Sequence, residues 1–161
     1  MKTLSYFCLA LLLGLGLVGC GAAADTAPQP PTIHYGEDIC EFCGMIISDE
    51  RFAAGYLTAD GQSHVFDDPG NMFRAYLQKP TEITAFFVHD YETVQWIRAE
   101  TAHFVLSSKL VTPMLTGLTA CATADRAKAL AAQLEGEVLT FDEAMAHFAR
   151  QAAAPEPAHS H

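Results

Sequence analysis

The sequence predicts an α+β fold of two related β-β-α-β units followed by a closing C-terminal helix. Three observations carry this. Asp60-Gly61 stands between two β-like runs, among the strongest short-range hairpin signals. The order strand, strand, helix, strand occurs twice, over residues 51–88 and 103–140. Thr140-Phe141-Asp142-Glu143 has the capping-box form ahead of one more amphipathic run.

The first residues read as a targeting signal, to be set aside before any fold is argued. Lys2 supplies a positive n-region and residues 7–18 an apolar h-region. Leu17-Val18-Gly19-Cys20 resembles the lipobox cleaved just before a lipidated Cys. The apolar run is too short to span a bilayer comfortably. Residues 1–19 are therefore expected to be a lipoprotein signal peptide, with membrane attachment through lipidated Cys20. Residues 20–32 then form an Ala/Pro-rich tether that holds the fold off the bilayer. Gly21, in place of an Asp, points to the periplasmic face of the outer membrane by the usual lipoprotein sorting preference.

The first unit is expected over residues 33–100. Residues 51–58 and 62–66 form its hairpin, and Asp67-Asp68-Pro69 starts a helix, the carboxylates capping free N–H groups and Pro occupying the first turn. Met72, Phe73, Tyr76 and Leu77 follow at helical spacing, Lys79-Pro80 closes the helix, and residues 83–88 form the third strand. The second unit and the closing helix are expected over residues 101–150. Strands are predicted at 103–107, 118–121 and 138–140, with a helix over 124–134 capped by Thr123 and stopped near Gly136. Phe141, Ala144, Met145 and Phe148 give the last helix one apolar face. Residues 151–161, ending His159-Ser160-His161, are expected to be a disordered tail.

The formal charge of −10 argues against nucleic acid as a partner, because no basic patch is available to neutralise phosphates. Setting Cys8 and Cys20 aside leaves Cys40, Cys43 and Cys121. In an oxidising compartment a CxxC pair is a disulfide, a metal site or a redox motif. Residues 38–46 place two thiols and a thioether within six positions: Cys40, Cys43 and Met45. Such a cluster of soft donors favours a soft cation of the Cu(I) type. A Met ligand loses no proton and adds no charge, which suits transient holding.

Three other readings compete. A thioredoxin-like pair normally opens a helix, which Gly44 and the β-branched Ile46-Ile47 oppose. A zinc knuckle needs a second ligand pair at the usual spacing. A structural Cys40–Cys43 disulfide is compatible with the compartment. A thiol-disulfide oxidoreductase using Cys40 and Cys43 is accordingly the alternative function.

Cys-Glu-Phe-Cys-Gly-Met-Ile-Ile at 40–47, Phe52-Ala53-Ala54, Phe66-Asp67-Asp68, Thr112-Pro113-Met114 and the segment around Gly136 together resemble the NosL family, copper-binding lipoproteins that help to mature nitrous-oxide reductase. The resemblance covers nearly all of residues 39–143, and the lipobox agrees. It implies a periplasmic, non-enzymatic lipoprotein of two related units that binds one Cu(I). The cation would be passed to nitrous-oxide reductase or its maturation machinery. Carried over residue by residue, the family's Cys-x-Met pair falls on Cys43 and Met45 as primary ligands, with Cys40 as a further ligand or redox guard. An imidazole ligand is implied in general terms and not placed by motif.

Among the seven His residues, His64 is the leading candidate for that ligand, being on the second hairpin strand and close in topology to the loop. His34, shortly before the cysteines, can fold back onto the site. Met114 is a further copper candidate, although a Met filling a gap between units is commoner. Cys121, among Ala residues in an apolar strand, reads as a buried thiol, and Asp67 and Asp68 both read as helix caps.

Overall fold

The structure, a computed structural model, describes residues 27–154. Cys20, most of the expected tether and the His159-Ser160-His161 segment lie outside the described residues. No helix among the described residues is long and apolar enough to cross a membrane.

The element order is β1 (Ala54–Thr58), β2 (Ser63–Phe66), α1 (Pro69–Gln78), β3 (Ile83–His89), β4 (Trp96–Arg98), β5 (His103–Leu106), β6 (Leu118–Cys121), α2 (Ala124–Leu134), β7 (Glu137–Leu139) and α3 (Phe141–Ala153). Two antiparallel sheets result, in the orders β2-β1-β3-β4 and β6-β5-β7. In each, the first strand of a β-β-α-β unit is central and its second and third strands flank it. The fold is thus α+β with the same strand arrangement used twice, and β4 extends the first sheet.

Local chemistry explains where elements begin and end. The Asp49 side chain accepts from the Arg51 N–H and forms a 3-10 turn over Glu50–Phe52, so β1 starts three residues later than the predicted strand. The predicted strand 138–140 is shifted to Glu137–Leu139 because Thr140 is taken up as the N-cap of α3, in a complete capping box with Glu143. Helix α2 stops at Glu135, which turns left-handed at φ 50. The fold is entered at Pro31, which is buried against β1; a Cβ on Gly55 would lie 2.6 Å from the Pro31 Cγ. Only Gly at position 55 leaves room for that ring.

The two sheets share one core. Phe73 of α1 packs against Phe104 of β5, Phe141 and Phe148 of α3, with ring centroids 5.6, 5.5 and 5.9 Å away. A parallel bridge between Asp90 and Ala120 and the bond from Ala122 N–H to Asp90 Oδ1 at 2.8 Å join the sheets at the far end of β3.

Beside that junction, His89 is buried with both ring nitrogens engaged. Nδ1–H donates to the Ala53 carbonyl at 2.9 Å, Nε2 accepts from the Tyr35 hydroxyl at 3.4 Å, and the ring lies 3.8 Å from that of Trp96. Burial holds the imidazole pKa below its usual 6.5. On acidification the unfolded chain therefore takes up this proton first. Stability present above pH 6.5 is lost as the pH falls towards the folded value, with a slope of at most about 1.4 kcal/mol per pH unit for one proton. Urea unfolding followed by fluorescence of Trp96, the single Trp, should show this loss below pH 6.5, and His89→Gln should reduce it.

Candidate metal centre

Residues 39–46 form a narrow loop closed by an antiparallel bridge between Ile39 and Ile46. Inside it, Cys40 N–H donates to the Met45 carbonyl at 2.8 Å and Gly44 N–H donates to the Cys40 carbonyl at 2.9 Å. Gly44 has φ +74, a conformation strained for other residues and free for Gly. This tight reversal sets three levels of exposure. Cys40 is 1% exposed, Cys43 is half-buried, and Met45 is 54% exposed. The loop therefore runs from the core to the surface through its sulfur atoms.

The N-terminus of α1 faces this loop. Asp68 is the N-cap: its Oδ1 accepts from Gly70 N–H at 2.7 Å and from Thr116 Oγ1 at 2.5 Å. Asp67, read from the sequence as another cap, does something else. One residue outside the N-cap and 3% exposed, it turns into the loop. Its Oδ2 accepts from Cys43 Sγ at 3.4 Å and its Oδ1 from Asn71 Nδ2 at 3.0 Å. The Asn71 amide also lies 3.9 Å from Cys40 Sγ.

One ligand atom each from Cys40, Cys43 and Asp67 all fall within 4.8 Å of one another. That spacing lets all three reach a single cation. Burial pushes the Cys43 thiol up to about 12; the Cys40 thiol and the Asp67 carboxylate add to the rise, and the Met45 backbone N–H opposes it. A cation at this place would replace the thiol proton, so binding is coupled to proton release. Thiolate and thioether donors select soft cations, whereas a carboxylate is a hard donor.

The other residues singled out from the sequence are distributed around this group. Met114 is close by in structure: its N–H donates to Asp68 Oδ2 at 3.4 Å, which pins its loop to the residue next to Asp67. His64 is not in the Cys40, Cys43 and Asp67 group. Its Nδ1 meets Glu41 Oε2 at 2.6 Å, its ring lies 4.8 Å from that of Tyr56, and it lines a cleft of ≈ 440 Å³ with Thr58, Asp60 and Gln62. His34 is exposed and directed at Asp38, whose Oδ2 accepts from the His34 backbone N–H at 2.8 Å and lies 3.3 Å from its Nδ1. Cys121 is 3% exposed on β6, and burial raises its thiol to about 11.

Asp67 and Asn71 are the residues that sequence reasoning missed. A signal for them existed. In a strand the side chains alternate, so Asp67, following Phe66, faces away from the Phe66 core side. Asn71 then lies four residues on, over the same helical face.

The NosL family model matches residues 31–149. The chain is 31% identical over 146 residues to the copper-binding lipoprotein NosL of Stutzerimonas stutzeri, spanning 84% of this chain and 77% of that protein. The crystal structure of the copper chaperone NosL from Shewanella denitrificans has the same fold, with TM-score 0.62 and 22% identity over 71% of this chain and 94% of that one. With a family model covering most of the described residues and a relative aligned over most of its length, this chain belongs to the NosL family.

Proposed function

We propose that this protein is a lipid-anchored Cu(I) carrier that passes copper to nitrous-oxide reductase during assembly of its copper centres. The observation that carries the reading is the convergence of Cys40, Cys43 and Asp67 in the loop that also carries a half-exposed Met45. Cys43 and Met45 are the primary ligands. Cys40 stands behind them as a third sulfur, Met114 is available from the adjoining loop, and Asp67 holds the Cys43 thiol through a hydrogen bond. Ile39 and Ile46, 50% and 53% exposed, give Met45 an apolar surround at which an acceptor can approach. The relative from Stutzerimonas stutzeri bears the name of a copper-binding lipoprotein, which supports both the cargo and the anchor at Cys20. On this reading the protein holds its cargo on the periplasmic face of the outer membrane and catalyses no turnover.

A thiol-disulfide exchange role fits less well. An attacking thiol requires a depressed pKa and access to solvent, whereas the Cys43 thiol is raised to about 12 and Cys40 is buried. Asp67 favours one second reading, a borderline cation such as Zn(II) in the two-thiolate and carboxylate pocket. An anaerobic titration of the reduced protein with Cu(I) and, separately, Zn(II), against competing chelators, tests the choice. The expected result is one tight Cu(I) per chain, weakened in Met45→Leu and little changed in Asp67→Asn. Tight Zn(II) binding that depends on Asp67 and ignores Met45 would overturn it.

A further inference from the structure

Asn71, the third residue of α1, is fully buried, yet only one end of its side chain is engaged. Its Nδ2 donates to Asp67 Oδ1 at 3.0 Å and lies 3.9 Å from Cys40 Sγ. A side-chain amide carries two N–H donors, one for each of these acceptors. Its buried Oδ1 has no hydrogen-bond partner. A carbonyl buried without a partner destabilises a fold, and an apolar side chain of similar size avoids that cost. Met72 and Phe73, the next two residues, are fully buried apolar groups, so packing alone is served by a Leu here. The N–H end is therefore what accounts for an Asn at this position.

Of the two acceptors, Cys40 has the greater need. Asp67 is also held through its other oxygen by the Cys43 thiol. Cys40 is 1% exposed and belongs to the main core. Among the described residues, the donor directed at its sulfur from outside the cysteine pair is Asn71 Nδ2. As a thiol, Cys40 packs like a small apolar group and needs no partner. When a cation binds, the S–H bond breaks, a sulfur–metal bond forms and the proton passes to solvent, which leaves negative charge on the sulfur. Charge in a core is costly unless it is paired and hydrogen-bonded. The Asn71 N–H is already in place to meet it, in the first turn of α1, where the helix dipole also favours negative charge.

We propose that Asn71 is a positioning residue for the metal centre: its amide bridges Asp67 and Cys40, and one of its N–H groups stabilises the thiolate that Cys40 becomes when Cu(I) binds. This role rests on the copper reading above. It adds the means by which Cys40, the most buried of the three loop sulfurs, enters as a ligand.

The test measures Cu(I) affinity by chelator competition in the reduced full-length protein, in Asn71→Leu, in Cys40→Ser and in the double variant. Asn71→Leu should bind about 10- to 100-fold more weakly than wild type, the usual cost of losing a group that supports a metal ligand. In the Cys40→Ser background the same change should cost about twofold or less, the scatter of independent substitutions, because no thiolate remains for the amide to serve. Equal losses in the two backgrounds would overturn the proposal by making Asn71 a support of the helix alone, and so would unchanged affinity in Asn71→Leu. A second readout needs no change at Asn71. In the ¹⁵N-labelled wild type an Asn71 Nδ2–H signal should move to lower field with the first equivalent of Cu(I), since a charged acceptor draws the proton more strongly. If Asn71→Leu does not fold, an unmoved signal in the wild type overturns the proposal by itself. A wild type that binds no Cu(I) overturns the copper reading as well, whereas failure of this role alone leaves the wild type loading normally.

Discussion

Cys43→Ser is expected to lower Cu(I) affinity by about 100- to 1000-fold while leaving the unfolding midpoint nearly unchanged. Structural zinc sites of four ligands bind with about 10–16 kcal/mol at neutral pH, so one ligand accounts for about 2.5–4 kcal/mol, and each 1.4 kcal/mol is tenfold. The stability side follows from the position of the residue. Cys43 is half-buried at the tip of its loop, and a Ser hydroxyl retains a donor towards Asp67 Oδ2. Cys40→Ser should behave differently, because Cys40 is 1% exposed and belongs to the main core. There a hydroxyl replaces a well-packed sulfur, and stability falls along with affinity. Chelator competition paired with urea unfolding separates the two effects. Wild-type affinity in Cys43→Ser would remove the thiolate from the account.

Phe73→Ala is expected to destabilise the fold by about 3–5 kcal/mol, the usual cost of emptying a Phe site in a packed core. The ring is fully buried and links its own helix in the first unit to β5 of the second through Phe104 and to the start and middle of α3 through Phe141 and Phe148. It therefore couples two sheets that share no strand. Urea unfolding should remain a single transition, with a lower midpoint and an unchanged slope. A biphasic curve in which one phase keeps its wild-type midpoint would show that the sheets unfold independently of this contact.

These two residues also mark how far the sequence could be read. The core role of Phe73 followed from helical spacing with Met72, Tyr76 and Leu77, and the bounds of α2 and the capping box of α3 followed from Thr123, Gly136 and Thr140-Glu143, with the left-handed cap falling one residue earlier, on Glu135. Such signals are local, written within one turn of chain. β4 was missed because three residues after a side-chain-stabilised turn at Asp90 and Thr93 carry no periodicity of their own. Strands β1 and β7 were misplaced by three residues and one because Asp49 and Thr140 use their side chains as caps, a competition that hydrophobic pattern does not reveal.

For the site, the closeness of the two cysteines was legible as a spacing, and the glycine that turns the loop as a residue type. The carboxylate was legible only through strand alternation after Phe66. Asp67 and Asp68 are chemically identical neighbours, and only the direction in which β2 delivers them makes one a cap and the other a partner of Cys43. His64 is near the loop in topology, and its imidazole meets Glu41 and Tyr56 in the neighbouring cleft.

The most direct measurement is copper K-edge X-ray absorption on the Cu(I)-loaded, reduced protein, with Met45→Leu alongside. A thiolate and thioether carrier predicts a Cu(I) edge and a first shell containing at least two sulfur atoms, with one sulfur fewer in the variant. A shell of nitrogen and oxygen alone, or one identical in the two proteins, would contradict the assignment of Cys43 and Met45 as the residues that hold the cargo.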